Sequence, residues 1–257
     1  MEKIIDVKLY DGSLARLECH DSLYSTSDLA KRYAKEGYPD RYCIFTERTS
    51  LPARGERTQE YQNGIFLSIL LRPSLFSSQA SFIAPLTAVA LATALEEHTT
   101  SKPGIGWLSD VFSDGQRIGG CTIEGRLDSY SSFEYLIINI AVKIDEKNFP
   151  LRMSDLIRKV FVEENASLNL IIAKTILSKF FLVYRDLKEP KKHIEKYISK
   201  SILFGKRIKY IKNDKKHVCR VIRINPENCS LVVEDKNGNE IVISSPSQIS
   251  IPDRIKN

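Results

Sequence analysis

A chain of 257 residues with 42% apolar and 27% charged side chains can bury a sizeable core and has the balance of an ordinary globular protein. No apolar run reaches the length of a membrane span, because even LIIAKTILSKFFLVY carries Lys174 and Lys179, so no membrane partner is expected. The net charge of +6 belongs to one end: residues 191–257 hold 15 basic and 7 acidic side chains, and the first 190 residues sum to −2.

In chain order, IIDVKLYDGSLARLEC alternates apolar and polar residues around Asp11-Gly12, which predicts two short strands joined by a tight turn. The start has neither the apolar region nor the small-residue cleavage site of a signal peptide, so the expected location is the cytosol, with an organelle matrix left open. SLYSTSDLAKRYAKEG predicts a helix capped by Ser25 or Ser27, with Leu29 and Tyr33 on one face and Gly37 as its stop. RYCIFTER is a strand, TERTSLPARGERTQEYQNG a long polar loop, and IFLSILLR a strand buried on both faces.

APLTAVALATALEEH is a helix with Pro85 near its start, and GWLSDVFSDG with IGGCTIEGRL forms a hairpin around Asp114-Gly115. EYLIINIAVKI is another buried strand. Residues 154–187 are expected to be helical, with Ser154 capping a first helix and a break at Asn165 and Ser167. From about Phe204 the short segments GKRIKYIK, KHVCRVIRI, SLVVEDKNG and EIVISS predict a small all-β barrel or sandwich. The fold class is thus α+β (or α/β): a mixed sheet flanked by helices over residues 1–190, then an all-β module over 200–257, with the boundary near 188–203.

Five scattered cysteines (Cys19, Cys43, Cys121, Cys219, Cys229) form no CxxC pair, and the four histidines lack metal-ligand spacing. Reduced, structural thiols are expected and a bound metal is not. Cys121 is the candidate reactive thiol, but no histidine lies near it in sequence.

Several anchors fall in an order that resembles the biotin protein ligases lacking an N-terminal DNA-binding domain, and the resemblance covers nearly the whole chain. The family's Ser-Thr-Asn signature matches Ser25-Thr26, with Ser27 in the third place. Its Gly-Arg-Gly-Arg-x-Gly-Arg-x-Trp loop falls on ARGERTQEY (53–61), and the following strand on IFLSILLRP. Its Lys-Trp-Pro-Asn-Asp-Val motif falls on GWLSDV (106–111), and its Lys-Leu-Ala-Gly-Ile motif on RIGGC (117–121), with Glu124 in the next acidic position. The Gly-Ile-Gly-Ile-Asn-Val-Asn strand falls on IINIAVK (137–143), its glycines and asparagines displaced.

The resemblance implies a C-terminal SH3-like barrel, ATP, Mg2+ and biotin as substrates, and a lysine of a biotin carboxyl carrier-type domain as acceptor. It implies catalytic roles for Arg54 and Arg117, and biotin contacts from Ser25, Thr26, Arg54, Trp107, Arg117, Gly119 and Gly120. Nucleotide contacts would come from Gly55, Arg57, Ser109 and Asp110. Joining a carboxylate to ATP sets anion against anion, so such a site needs cations and backbone donors where charge gathers. Here Glu56 stands at the second loop arginine, Gly106 at the lysine before Trp107, Ser109 at the motif asparagine and Arg117 at a lysine. Arg57, or the long side chain of Lys102, offers substitute charge.

Three classes therefore stand open: a divergent ligase (or a lipoate-type transferase on the same fold), a pseudo-ligase that binds a ligand or protein without turnover, and a module binding through its basic tail. Each anchor has a plainer reading: Trp107 as core, Ser25 as a helix cap, and the glycine pair as a strand bulge. The tail suits an acidic protein partner. Nucleic acid is disfavoured, because the basic residues lack the interleaved aromatics that stack bases.

Overall fold

The chain begins with β1 (Lys3–Lys8) and β2 (Leu14–His20), antiparallel in the register Lys8↔Leu14, and Gly12 supplies the positive φ of 81° at the turn. The structure, a computed structural model, describes residues 3–52, 58–61, 63–144, 166–212 and 215–255. Helix α1 (Thr26–Lys35) then crosses to β3 (Tyr42–Thr46), which lies parallel to β2. The Ser25 side chain accepts from the Asp28 N–H and caps α1, while Gly37 at φ 82° closes it, as the sequence predicts.

The expected polar loop after β3 differs from the structure at both ends. Strands β4 (Thr49–Pro52) and β5 (Thr58–Tyr61) pair there as a separate two-stranded sheet. A parallel bridge from Leu23 to Thr49 ties β4 to the entry of α1. Backbone pairing wins here over a polar composition, because the edge beside Leu23 offers partners that a sequence window does not show.

Strands β6 (Gly64–Leu71), β7 (Gly104–Ile105), β8 (Val111–Ser113), β9 (Gln116–Leu127) and β10 (Phe133–Lys143) complete an eight-stranded mixed sheet of order β1-β2-β3-β6-β10-β9-β8-β7. The turn between β8 and β9 has Asp114 at φ 47° and Gly115 at φ 77°, the two left-handed residues of a hairpin turn.

Alternation along β3 explains why all of it is buried. Cys43 and Phe45 join the large core on one face, and Tyr42 and Ile44 join the smaller cluster under α1 on the other. Helices α2 (Ile83–Glu96) and α3 (Leu168–Arg185, capped by Ser167) cover the first face. Ser154 and the first helix expected there lie outside the described residues.

Helix α4 (Lys191–Ser199) occupies what the sequence suggested was a boundary. Its lysines face water, while Ile194 and Tyr197 are buried against the main core. Five antiparallel strands follow: β11 (Arg207–Lys212), β12 (Lys215–Ile224), β13 (Leu231–Glu234), β14 (Glu240–Ile243) and β15 (Ile249–Ser250), in the order β14-β13-β12-β11-β15. Val221, Cys229, Leu231 and Val233 belong to the same apolar cluster as Ile105 and Trp107, so the two sheets share one core. No helix among the described residues is long and apolar enough to cross a membrane.

Candidate functional site

A polar stripe runs across the middle of the large sheet. Ser68 on β6 faces Asn139 on β10, and Asn139 faces Thr122 on β9, in direct register. Ser68 Oγ lies 2.8 Å from Asn139 Oδ1 and 2.8 Å from Thr26 Oγ1 at the start of α1. An amide oxygen only accepts, so Ser68 donates to Asn139 and Thr26 donates to Ser68. Asn139 Nδ2 and Ser27 Oγ each donate to Glu124 Oε1 at 2.9 Å, and Lys31 Nζ meets Glu124 Oε2 at 2.6 Å. Burial pushes the Glu124 carboxyl up, but the donors from Lys31, Ser27 and Asn139 outweigh it and hold it below its ordinary value.

Thr26, Ser27, Thr122 and Asn139 of this stripe line a cavity of about 380 Å³ between the α1 N-terminus and strands β9 and β10. Of the residues expected from sequence, Ser25, Thr26, Asp110, Arg117, Gly119 and Gly120 line it together. Ser25 is both helix cap and cavity wall. Arg54, Gly55, Glu56 and Arg57 lie outside the described residues.

At the far end, residues 106–110 form a tight loop in which the Gly106 N–H donates to Asp110 O at 2.8 Å. Leu108 sits in the left-handed region at φ 59°, and its N–H donates to the buried Tyr197 hydroxyl at 2.8 Å. The loop delivers the Asp110 carboxylate to Arg117, whose Nη2 lies 2.8 Å from Asp110 Oδ2. Burial raises the Asp110 carboxyl despite that cation. Position 106, where the motif lysine is absent, is crowded: a Cβ there would lie 2.9 Å from the Phe112 ring and 3.2 Å from Asp110 Cβ.

Two expected ligand residues stand apart from the cavity. Trp107 is only 4% exposed, and its Nε1 donates to Cys229 O at 2.8 Å, so it joins the two sheets. Ser109 Oγ donates to Cys121 O at 2.7 Å and fastens the loop to β9. The glycine pair lines the cavity, but the space beside it is already filled by the protein. A Cβ on Gly119 would lie 2.3 Å from Ala141 O, and one on Gly120 2.8 Å from Ser109 O. Close approach of backbones requires these glycines. Cys121 also lines the cavity, and burial pushes its thiol up to about 12, which keeps it a neutral thiol near pH 7.

Sequence reasoning missed Ser68, Thr122 and Asn139. The signal was present for two of them: Ser68 and Asn139 are polar residues interrupting strands that are otherwise apolar, whereas Thr122 is exposed on a strand of mixed character and gave none.

No family model matches the chain. It is 24% identical over 143 residues to the Bifunctional ligase/repressor BirA of Bacillus subtilis, a match spanning 53% of this chain and 43% of that protein. The chain thus matches less than half the length of this curated relative. In structure it is similar to the biotin protein ligase from Aquifex aeolicus in complex with biotin and ATP, with a TM-score of 0.67 at 18% identity, covering 91% of this chain and 97% of that one. It is also similar to a biotin protein ligase-like protein of unknown function from Silicibacter, with a TM-score of 0.61 at 12% identity, covering 90% of this chain and 94% of that one. A mixed sheet flanked by helices, with an all-β sheet after it, gives this chain the fold of the biotin protein ligases, and over about half its length its sequence is similar to that of a bifunctional ligase/repressor.

Proposed function

We propose that this chain binds biotin in the cavity between α1 and strands β9 and β10, and that its activation of biotin with ATP is strongly weakened. One observation carries the reading: the cavity joins a stripe of hydroxyl and amide groups at one end to the Arg117 guanidinium at the other. The stripe suits the donors and acceptors of a cyclic urea, and Arg117 suits a carboxylate. The family reaction forms biotinyl-5'-adenylate from biotin and ATP and passes biotin to a lysine of a carrier domain.

The weakening follows from charge. Among the described residues lining the cavity, Arg117 is the one cation, and Asp110 is already paired with it. Phe112 crowds the position of the motif lysine, 2.9 Å from where a Cβ would stand. Removing one electrostatic donor from such a transition state costs on the order of 10²–10³ in rate. Mg2+ would enter with the nucleotide, whose phosphates supply most of its ligands. Asp110 is the described carboxylate in the cavity that would face it.

An acidic carrier-type domain is the macromolecular partner this reading favours. On the small sheet Arg220 and Arg223 are paired with Glu234 and Glu240, whereas Arg207, Lys209, Lys215 and Lys216 stand exposed on β11 and β12. The test combines calorimetric titration with biotin and biotin-dependent exchange of labelled pyrophosphate into ATP, run beside the Aquifex enzyme. Saturable biotin binding with exchange at least a hundred-fold slower is expected. Exchange at a comparable rate would refute the weakened step, and absent biotin binding would refute the reading as a whole.

A further inference from the structure

The C-terminal segment after β15 does not hang free of the site. It runs beside the β8–β9 turn through an antiparallel bridge between Gln116 and Arg254. Arg117 N donates to Asp253 O and Ile255 N to Gly115 O, each at 2.7 Å, and Ile255 is buried in the shared core. Gly115 is needed for this contact, since a Cβ there would lie 2.5 Å from Ile255 O. Residues 251–255 are therefore a built-in strap across the hairpin.

The strap carries a second carboxylate to the cavity's cation. Asp253 Oδ1 lies 3.5 Å from Arg117 Nε, while Asp110 Oδ2 holds Arg117 Nη2 at 2.8 Å. Both acceptors use the Nε–Nη2 edge of the guanidinium, the edge that binds a carboxylate with two parallel bonds. One cation then serves two acids. A ligand carboxylate arriving at Arg117 meets repulsion from both, whereas an uncharged amide meets the same donors without it.

Resting on the reading of this cavity as a biotin site, we propose that Asp253 is a specificity-determining residue, which disfavours carboxylate ligands by sharing Arg117 with Asp110. Its side chain is 86% exposed, so the pair itself adds little stability. The strap is held by backbone bonds and Ile255, which substitutions at 253 leave intact.

The experiment is calorimetric titration of the full chain at low ionic strength with biotin and with its uncharged amide, for the native protein, Asp253→Asn and Asp253→Lys. Removing one exposed, partly screened charge tightens biotin binding by about three-fold, and reversing it squares that factor to about ten-fold. The amide stays within about two-fold throughout, and the gain shrinks in high salt. If both probes bind but shift together, or neither shifts, Asp253 sets no charge preference and the proposal falls while the cavity reading stands. If neither probe binds any of the three proteins, the cavity reading falls and takes the proposal with it.

Discussion

Tyr197→Phe removes one oxygen and nothing else, at a point where the fold holds the site loop in an unfavourable shape. The Tyr197 ring is fully buried on α4, and its hydroxyl accepts the Leu108 N–H at 2.8 Å. Leu108 stands at φ 59°, a conformation that costs a branched L-residue roughly 1–2 kcal/mol. Without the hydroxyl the donor has no protein partner, which costs about 1–3 kcal/mol. With a urea slope of about 3 kcal/mol/M for a chain this long, a loss of about 2 kcal/mol lowers the unfolding midpoint by roughly 0.7 M. Trp107, the sole tryptophan, adjoins Leu108 and reports the transition by its fluorescence. The same loop carries Asp110, the partner of Arg117, so biotin affinity should change along with stability. A midpoint shift below about 0.2 M at constant slope, with unchanged biotin affinity, would refute the claim that Tyr197 holds the loop.

Gly119→Ala forces a Cβ to within 2.3 Å of Ala141 O, which should cost about 1–3 kcal/mol or more in urea unfolding. Gly238→Ala, at φ 83° with open space around it, should cost only about 1 kcal/mol; equal losses would sink the steric argument. Tyr42→Phe takes the donor from Oε2 of the buried Glu18, 2.6 Å away, with an expected loss of about 1–3 kcal/mol, and a neutral result would mean water replaces the phenol. The two site carboxylates give opposite pH slopes. Asp110 is raised by burial, so the fold loses stability as pH rises from the ordinary carboxylate value through its higher folded value; Asp110→Asn should abolish that decline. Glu124 is lowered by its donors, so its contribution is present above the ordinary value and lost as pH falls through the folded one; Glu124→Gln should flatten that limb. Unfolding curves between about pH 3 and 7 check both.

The layered sheet was legible because local rules and burial agree in it. Asp11-Gly12, Ser25 and Asp114-Gly115 do in the structure what turn and cap chemistry predicts. Helix α4 was hidden because half of KKHIEKYISK is charged, although Ile194, Tyr197 and Ile198 sit at helical spacing on the face that meets the core. The strap was illegible for another reason: Asp253 and Arg117 are 136 positions apart, and no periodicity links them. Trp107 shows the limit of a motif, since its position in the sequence said nothing of the Cys229 carbonyl to which its Nε1 donates. The sharpest case is Gly106. Read as sequence it is a lost cation, a deficit that one substitution would repair. In the structure, a Cβ at position 106 would lie 2.9 Å from the Phe112 ring and 3.2 Å from Asp110 Cβ. Any side chain there must first shift the Phe112 ring, so restoring the charge also asks this loop to repack. Changes around Phe112 and Asp110, more than the single position, decide whether the site can regain it.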